Sequence, residues 1–178
     1  MKPRPPVLYL LCGLSFAGKS TLAKGLSEPL RAVIIEADQF IAVVEEQLPN
    51  ASKIESWRAI QALAREAVRD ALESGKNVLF DDLLVKPDVR EALVLLAGQV
   101  GAATLVIFLD TPVEVVRERQ RLASSKPEKH AHWEAHTQLL LTQLVPPDSA
   151  TAVYVKPGYD LAQVLTEIRS REAAGLGA

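Results

Sequence analysis

The sequence predicts an α/β domain, a parallel sheet with helices on both faces. Three observations carry that prediction. Short apolar runs, β-branched or leucine-rich, recur at five places along the chain. Stretches with helical spacing separate them. The first run leads through a glycine-rich turn directly into a helical pattern. The 178 residues are 48% apolar and 24% charged, which supplies one ordinary core, so 1–178 is expected to form a single domain.

The first strand is Val7–Cys12. Met1-Lys2-Pro3-Arg4 and the apolar residues after it imitate the start of an export signal. Cleavage near Ala17 would destroy the glycine-rich motif, and the run is too short to span a bilayer, so it reads as a buried strand. Thr21, Leu22, Ala23 and Leu26 open the helix that follows, and Ala32–Glu36 is the second strand. Residues 55–74 form a helix, with Trp57, Ile60, Leu63, Ala64, Val68 and Leu72 on its apolar face and Gly75 as its left-handed end. The third strand is 77–80 and the fourth 104–109. Thr111-Pro112 opens another helix, with Glu114 expected to complete a capping box.

Residues 122–149 interrupt the layered pattern. They begin with polar Ser124-Ser125-Lys126-Pro127-Glu128-Lys129, continue as a short helix over about 132–144, and reach Pro146-Pro147. They are expected to be the mobile element, a lid that closes over bound ligand and brings Arg117 or Arg121 toward it, with Lys126, Lys129 and His130 as further donors. The fifth strand is 151–156, and a last helix after Asp160 buries Leu161, Val164, Leu165 and Ile168.

Composition narrows the partners. A net charge of −2 gives no overall field that would favour nucleic acid or a membrane surface. Aromatic residues are 5% of the chain, too few for a nucleic-acid stacking platform, so Trp57 and Trp133 read as core or pocket-wall residues. Cys12 stands alone, which excludes an internal disulfide and fits a cytoplasmic, reducing setting.

The chemistry resides in Gly13-Leu14-Ser15-Phe16-Ala17-Gly18-Lys19-Ser20, a complete G-x-x-x-x-G-K-S phosphate-binding loop, or P-loop. Its glycines let backbone amides wrap a phosphate, and the helix that begins beyond it adds its positive end. Residues 13–21, including Thr21, are expected to bind ATP. Lys19 is placed to meet the β- and γ-phosphates, and the Ser20 hydroxyl to hold Mg²⁺. Asp38 follows the second strand, and Asp81 and Asp82 follow the third. In an open parallel sheet both positions face the crevice of the P-loop. Asp81, then Asp82, is expected to serve the metal, and Asp38 to accept or orient the proton of an acceptor hydroxyl.

This order of motifs resembles the small P-loop kinases, in particular the branch of chloramphenicol phosphotransferase, zeta toxins and polynucleotide kinase. Ser15-Phe16-Ala17-Gly18-Lys19-Ser20, Asp38-Gln39-Phe40-Ile41 and Phe80-Asp81-Asp82 carry the resemblance, which covers roughly residues 7–121. It implies a Rossmann-like P-loop NTPase fold with five parallel strands in the order 2-3-1-4-5, and transfer of the ATP γ-phosphoryl group to a small-molecule hydroxyl. It also implies that Asp38 is the catalytic aspartate, and that the helix after the fourth strand carries lid arginines. Arg117, Arg119 and Arg121 lie there, with Arg117 and Arg121 on one face. Polynucleotide kinases of the branch carry an arginine where Ile41 stands, which weakens that reading; a 5′-hydroxyl kinase is the first alternative and a nucleotide-dependent switch with slow hydrolysis the second. His132 and His136, four apart, read as a polar helix face and not as a metal site.

Overall fold

The structure, a computed structural model, describes residues 4–175. Strands β1 (Val7–Cys12), β2 (Ala32–Glu36), β3 (Asn77–Asp81), β4 (Ala103–Leu109) and β5 (Val153–Val155) form one parallel sheet. Their order is β2-β3-β1-β4-β5, as the resemblance implies.

Every residue of β1 is buried, because the strand is covered on both faces. Val7, Tyr9 and Leu11 pack with Leu22 and Leu26 of α1 (Lys19–Leu30) and with Val164 and Ile168 of α7 (Leu161–Ala173). Leu8, Leu10 and Cys12 point the other way, onto α3 (Lys53–Glu73) and α4 (Pro87–Gln99). Each fully buried leucine here stabilises the fold by about 1.5–3 kcal/mol. The chain leaves β1 for β2 on one side of it and crosses from β3 to β4 on the other, so a crevice opens where β1 ends. Among the described residues no helix is long and apolar enough to cross a membrane.

Several elements differ from the sequence expectation. β3 extends to Asp81, so that aspartate belongs to the strand and pairs in register with Leu11 and Glu36. α3 starts earlier than position 55, because Ser52 and Glu55 close a reciprocal capping box. It ends as expected at Gly75 (φ 79°), whose amide donates to the Leu72 carbonyl while that of Lys76 donates to Ala71. A 3₁₀ turn (Ala37–Phe40), α2 (Ile41–Gln47) and α4 are elements the sequence reading left unassigned.

At α5 (Val113–Ala123) the expected Thr111–Glu114 capping box does not form. Pro112 takes the capping position, and the Thr111 hydroxyl donates instead to the Ala17 carbonyl at 3.1 Å. α6 (Pro127–Gln143) is longer than the helix expected over 132–144, since Pro127 sits in the first turn, where a missing N–H costs nothing. Its Leu140 joins Leu14, Val85 and Val116 in a third apolar cluster, and Gln120 of α5 donates to Thr137 Oγ1 at 2.9 Å.

Candidate active site

The P-loop leaves β1 through Gly13 at φ 149°, where an added Cβ would stand 3.1 Å from the Leu109 carbonyl oxygen. Gly18 at φ 107° turns the chain into α1. Between them the chain curls, with the Ala17 amide donating to the Leu14 carbonyl at 3.2 Å. The amides of Ser15, Phe16, Gly18, Lys19 and Ser20 donate to no acceptor among the described residues. They line a cavity of about 1250 Å³. Undonated amides gathered in a concave loop at a helix N-terminus form an anion site.

Lys19 is 8% exposed, and its ammonium donates to the carbonyls of Gly13 (3.3 Å) and Leu14 (3.0 Å). Burial pushes its pKa below the ordinary lysine range; Asp81 first, then Asp82, Cys12 and Asp38, pull it back. The two adjacent aspartates differ. Asp82 is engaged on both oxygens: Gln61 Nε2 donates to one at 2.8 Å and the Leu83 amide to the other at 2.7 Å. Asp81, 8% exposed, lines the cavity, and no buried side-chain oxygen lacks a partner among the described residues, so its unengaged oxygens face the cavity. Among the described residues no group of three His, Cys, Asp or Glu could hold a metal by itself. A Mg²⁺ ion here would need phosphate oxygens as well, and the exposed Ser20 hydroxyl and the Asp81 carboxylate suit it as the protein's oxygen ligands.

Asp38 is exposed on the 3₁₀ turn past β2 and lines the same cavity. The three arginines of α5 separate. Arg119 reaches the P-loop, donating to the carbonyls of Phe16 (2.9 Å) and Ala17 (2.7 Å), and lines the cavity. Arg117 instead forms a forked ion pair with Glu134 of α6. Arg121 is exposed and pairs with Glu118 on its own helix. Val116 and Gln120 form the buried stripe of α5, and Arg119 and Arg117 flank it on opposite sides. Only Arg119's flank faces the P-loop.

Residues with no site role expected from the sequence complete the walls: Gln61, Thr111, and the loop Lys156-Pro157-Gly158-Tyr159 after β5. A general signal existed for that loop, since ligands in such sheets lie beyond strand ends. His136 lines the cavity, and His132 is exposed. Trp57 is a cavity-wall residue, not a core residue, and Trp133 meets the Phe16 ring edge-on at 4.9 Å.

Sheet order and P-loop define a P-loop NTPase-like fold, with the P-loop and the acids gathered in one crevice. Residues 8–144 match the family described as AAA domain, and the chain belongs to that family. No curated protein matches it. Among solved structures, APS kinase CysC of Mycobacterium tuberculosis, in complex with AMPPNP and APS, is similar with a TM-score of 0.70 at 15% identity, over 96% of this chain and 99% of that one. A sugar kinase from Janibacter sp. HTCC2649 has a TM-score of 0.65 at 19% identity, over 97% and 96% of the two chains. A gluconokinase from Sinorhizobium meliloti 1021 has a TM-score of 0.63 at 20% identity, over 98% and 95%.

Proposed function

We propose that the protein is an ATP-dependent kinase that moves the γ-phosphoryl group to a hydroxyl of a small molecule, working as one catalytic domain. One observation carries this reading. The undonated P-loop amides, the buried Lys19 and the cavity-facing Asp81 share a single cavity with Asp38, an acid that binds nothing else there. The names of the similar structures, an APS kinase, a sugar kinase and a gluconokinase, support it.

The triphosphate lies in the amide cradle, with Lys19 exchanging its carbonyl partners for β- and γ-oxygens. Bound Mg²⁺ would neutralise phosphate charge; Ser20 and Asp81 would hold it, with Asp82 second because its oxygens are already engaged. We assign to Arg119, not to Arg117 or Arg121, the arginine role beside the nucleotide. Its planar guanidinium and the Lys156–Tyr159 loop line the same cavity, and a flat cation and the Tyr159 ring suit a purine base. Asp38 orients the acceptor hydroxyl and takes its proton as the new P–O bond forms, while the bond to the β-phosphate oxygen breaks and ADP leaves. The apolar Ile41 and the acids around Asp38 disfavour a polynucleotide acceptor. The free Cys12 thiol fits a cytosolic setting.

Asp38→Asn is the direct test. ATP affinity by calorimetry should stay near the parent value, and kcat should fall by about two to four powers of ten. Normal turnover in the folded variant would remove Asp38 from the reaction.

A further inference from the structure

The cavity has two ends that differ in chemistry, and the sheet order sets them apart. β2 and β5 are the two edge strands, so the loops after them lie at opposite ends of the crevice, with the P-loop between. The β5 end holds Thr111, Arg119 and the Lys156–Tyr159 loop. The β2 end is built by the 3₁₀ turn, α2 and the first turns of α3.

That second end is apolar and acidic. Trp57, 58% exposed, stands in its wall together with Ile41, Val44 and Ile60. Outside the wall, Leu48 just past the end of α2 and Ile54 in the first turn of α3 are 44% and 65% exposed. A broad indole left in water beside branched aliphatic side chains is a platform for a ring, because covering it removes apolar area from water. The charged groups at this end are Glu36, Asp38 and Glu45 against Lys53. An anionic acceptor would therefore meet three carboxylates and one ammonium, whereas the anion-binding amides lie in the P-loop.

We propose that the acceptor is an uncharged or cationic hydroxyl compound with an apolar ring face, which lies on the Trp57 indole with its hydroxyl toward Asp38. This rests on the kinase reading above and narrows its substrate class. Phosphorylated, sulfated and carboxylate-bearing acceptors are rejected by the acids of the β2 end.

Calorimetry on the full chain saturated with Mg²⁺ and AMPPNP tests it with three probes. 3-Phenylpropane-1,2-diol carries a ring and a neutral diol. 3-Phenyllactate is the same skeleton with a carboxylate, and glycerol is the polyol without the ring. The diol should bind saturably, with phenyllactate and glycerol each at least ~10-fold weaker, the scale of one stacking or charge contact. Trp57→Ala, at an exposed position that the fold does not need, should weaken the diol by ~10-fold or more and leave AMPPNP affinity unchanged. Glu45→Lys should raise phenyllactate affinity relative to the diol. Absence of saturable diol binding, equal or tighter phenyllactate binding, or an unaffected Trp57→Ala variant would each overturn the proposal. AMPPNP affinity, measured first in the same experiment, reports separately on the nucleotide site: its loss would sink the kinase reading instead.

Discussion

Asp81 and Asp82 show how adjacent residues of one type acquire different work. Asp82 is held by Gln61 and by the Leu83 amide, while Asp81 ends β3 with its oxygens in the cavity. Asp81→Asn should lower Mg²⁺-dependent turnover by at least about 10-fold and raise the Mg²⁺ concentration needed for half activity. Asp82→Asn keeps one acceptor oxygen and should be milder, and excess EDTA should stop turnover in the parent. A silent Asp81→Asn beside an inactive Asp82→Asn would reverse the assignment. Lys19 gives a pH signature. Burial lowers its pKa in the free protein, and phosphate binding needs the charged ammonium. As pH rises through that lowered value, Lys19 loses its proton and ATP affinity falls, at a pH below the range where an ordinary lysine titrates. Binding at alkaline pH should then take up a proton, seen as a buffer-dependent heat in calorimetry. A buffer-independent heat there would contradict the lowered pKa.

Among the elements expected from the sequence, α6 departs furthest in extent, starting at Pro127 and not near position 132. Its middle and C-terminal half are tied to the body by the Gln120–Thr137 hydrogen bond, the Arg117–Glu134 ion pair and Leu140, and Trp133 leans on the P-loop residue Phe16. Phe16 holds φ 63°, a left-handed conformation strained for a large side chain. Glu134 has its pKa lowered by the Arg117 hydrogen bonds, so the pair stays charged near neutrality, although both groups are solvated and contribute little to stability. Closure of the whole segment 122–149 would break these contacts. Hydrogen exchange with Mg²⁺ and AMPPNP should therefore show added protection concentrated in about 123–133, the exposed start of α6 and the loop before it, with 137–144 nearly unchanged. Uniform gain across 122–149 would favour a rigid lid, and none at all would leave no closing element.

In the whole molecule, stability and site share one strand. β1 carries the core of both faces and ends in the P-loop, so its burial also fixes the position of the phosphate cradle. Leu10→Ala, fully buried in the α3–α4 face, should cost about 2–5 kcal/mol in denaturant unfolding. A loss under about 1 kcal/mol would mean that the face repacks freely.

The five strands, the P-loop and the acids at the ends of β2 and β3 are legible in the chain alone. Each is written locally: apolar runs for strands buried on both faces, helical spacing between them, and glycines where the backbone must turn through positive φ around Gly13 and Gly18. The α3 start is equally local: Ser52 and Glu55 set it at Lys53, two residues before the apolar spacing alone indicates. Packing of the layers sets which arginine meets the P-loop, which aspartate keeps its oxygens free, and the place of Trp57 in a cavity wall. Arg117 and Arg119 flank the buried stripe of α5 symmetrically, and nothing in the chain says that one flank will face Glu134 and the other the carbonyls of Phe16 and Ala17. Local pattern sets which face of an element is buried; what that face meets depends on elements distant in sequence, and those contacts exist only once the layers have packed.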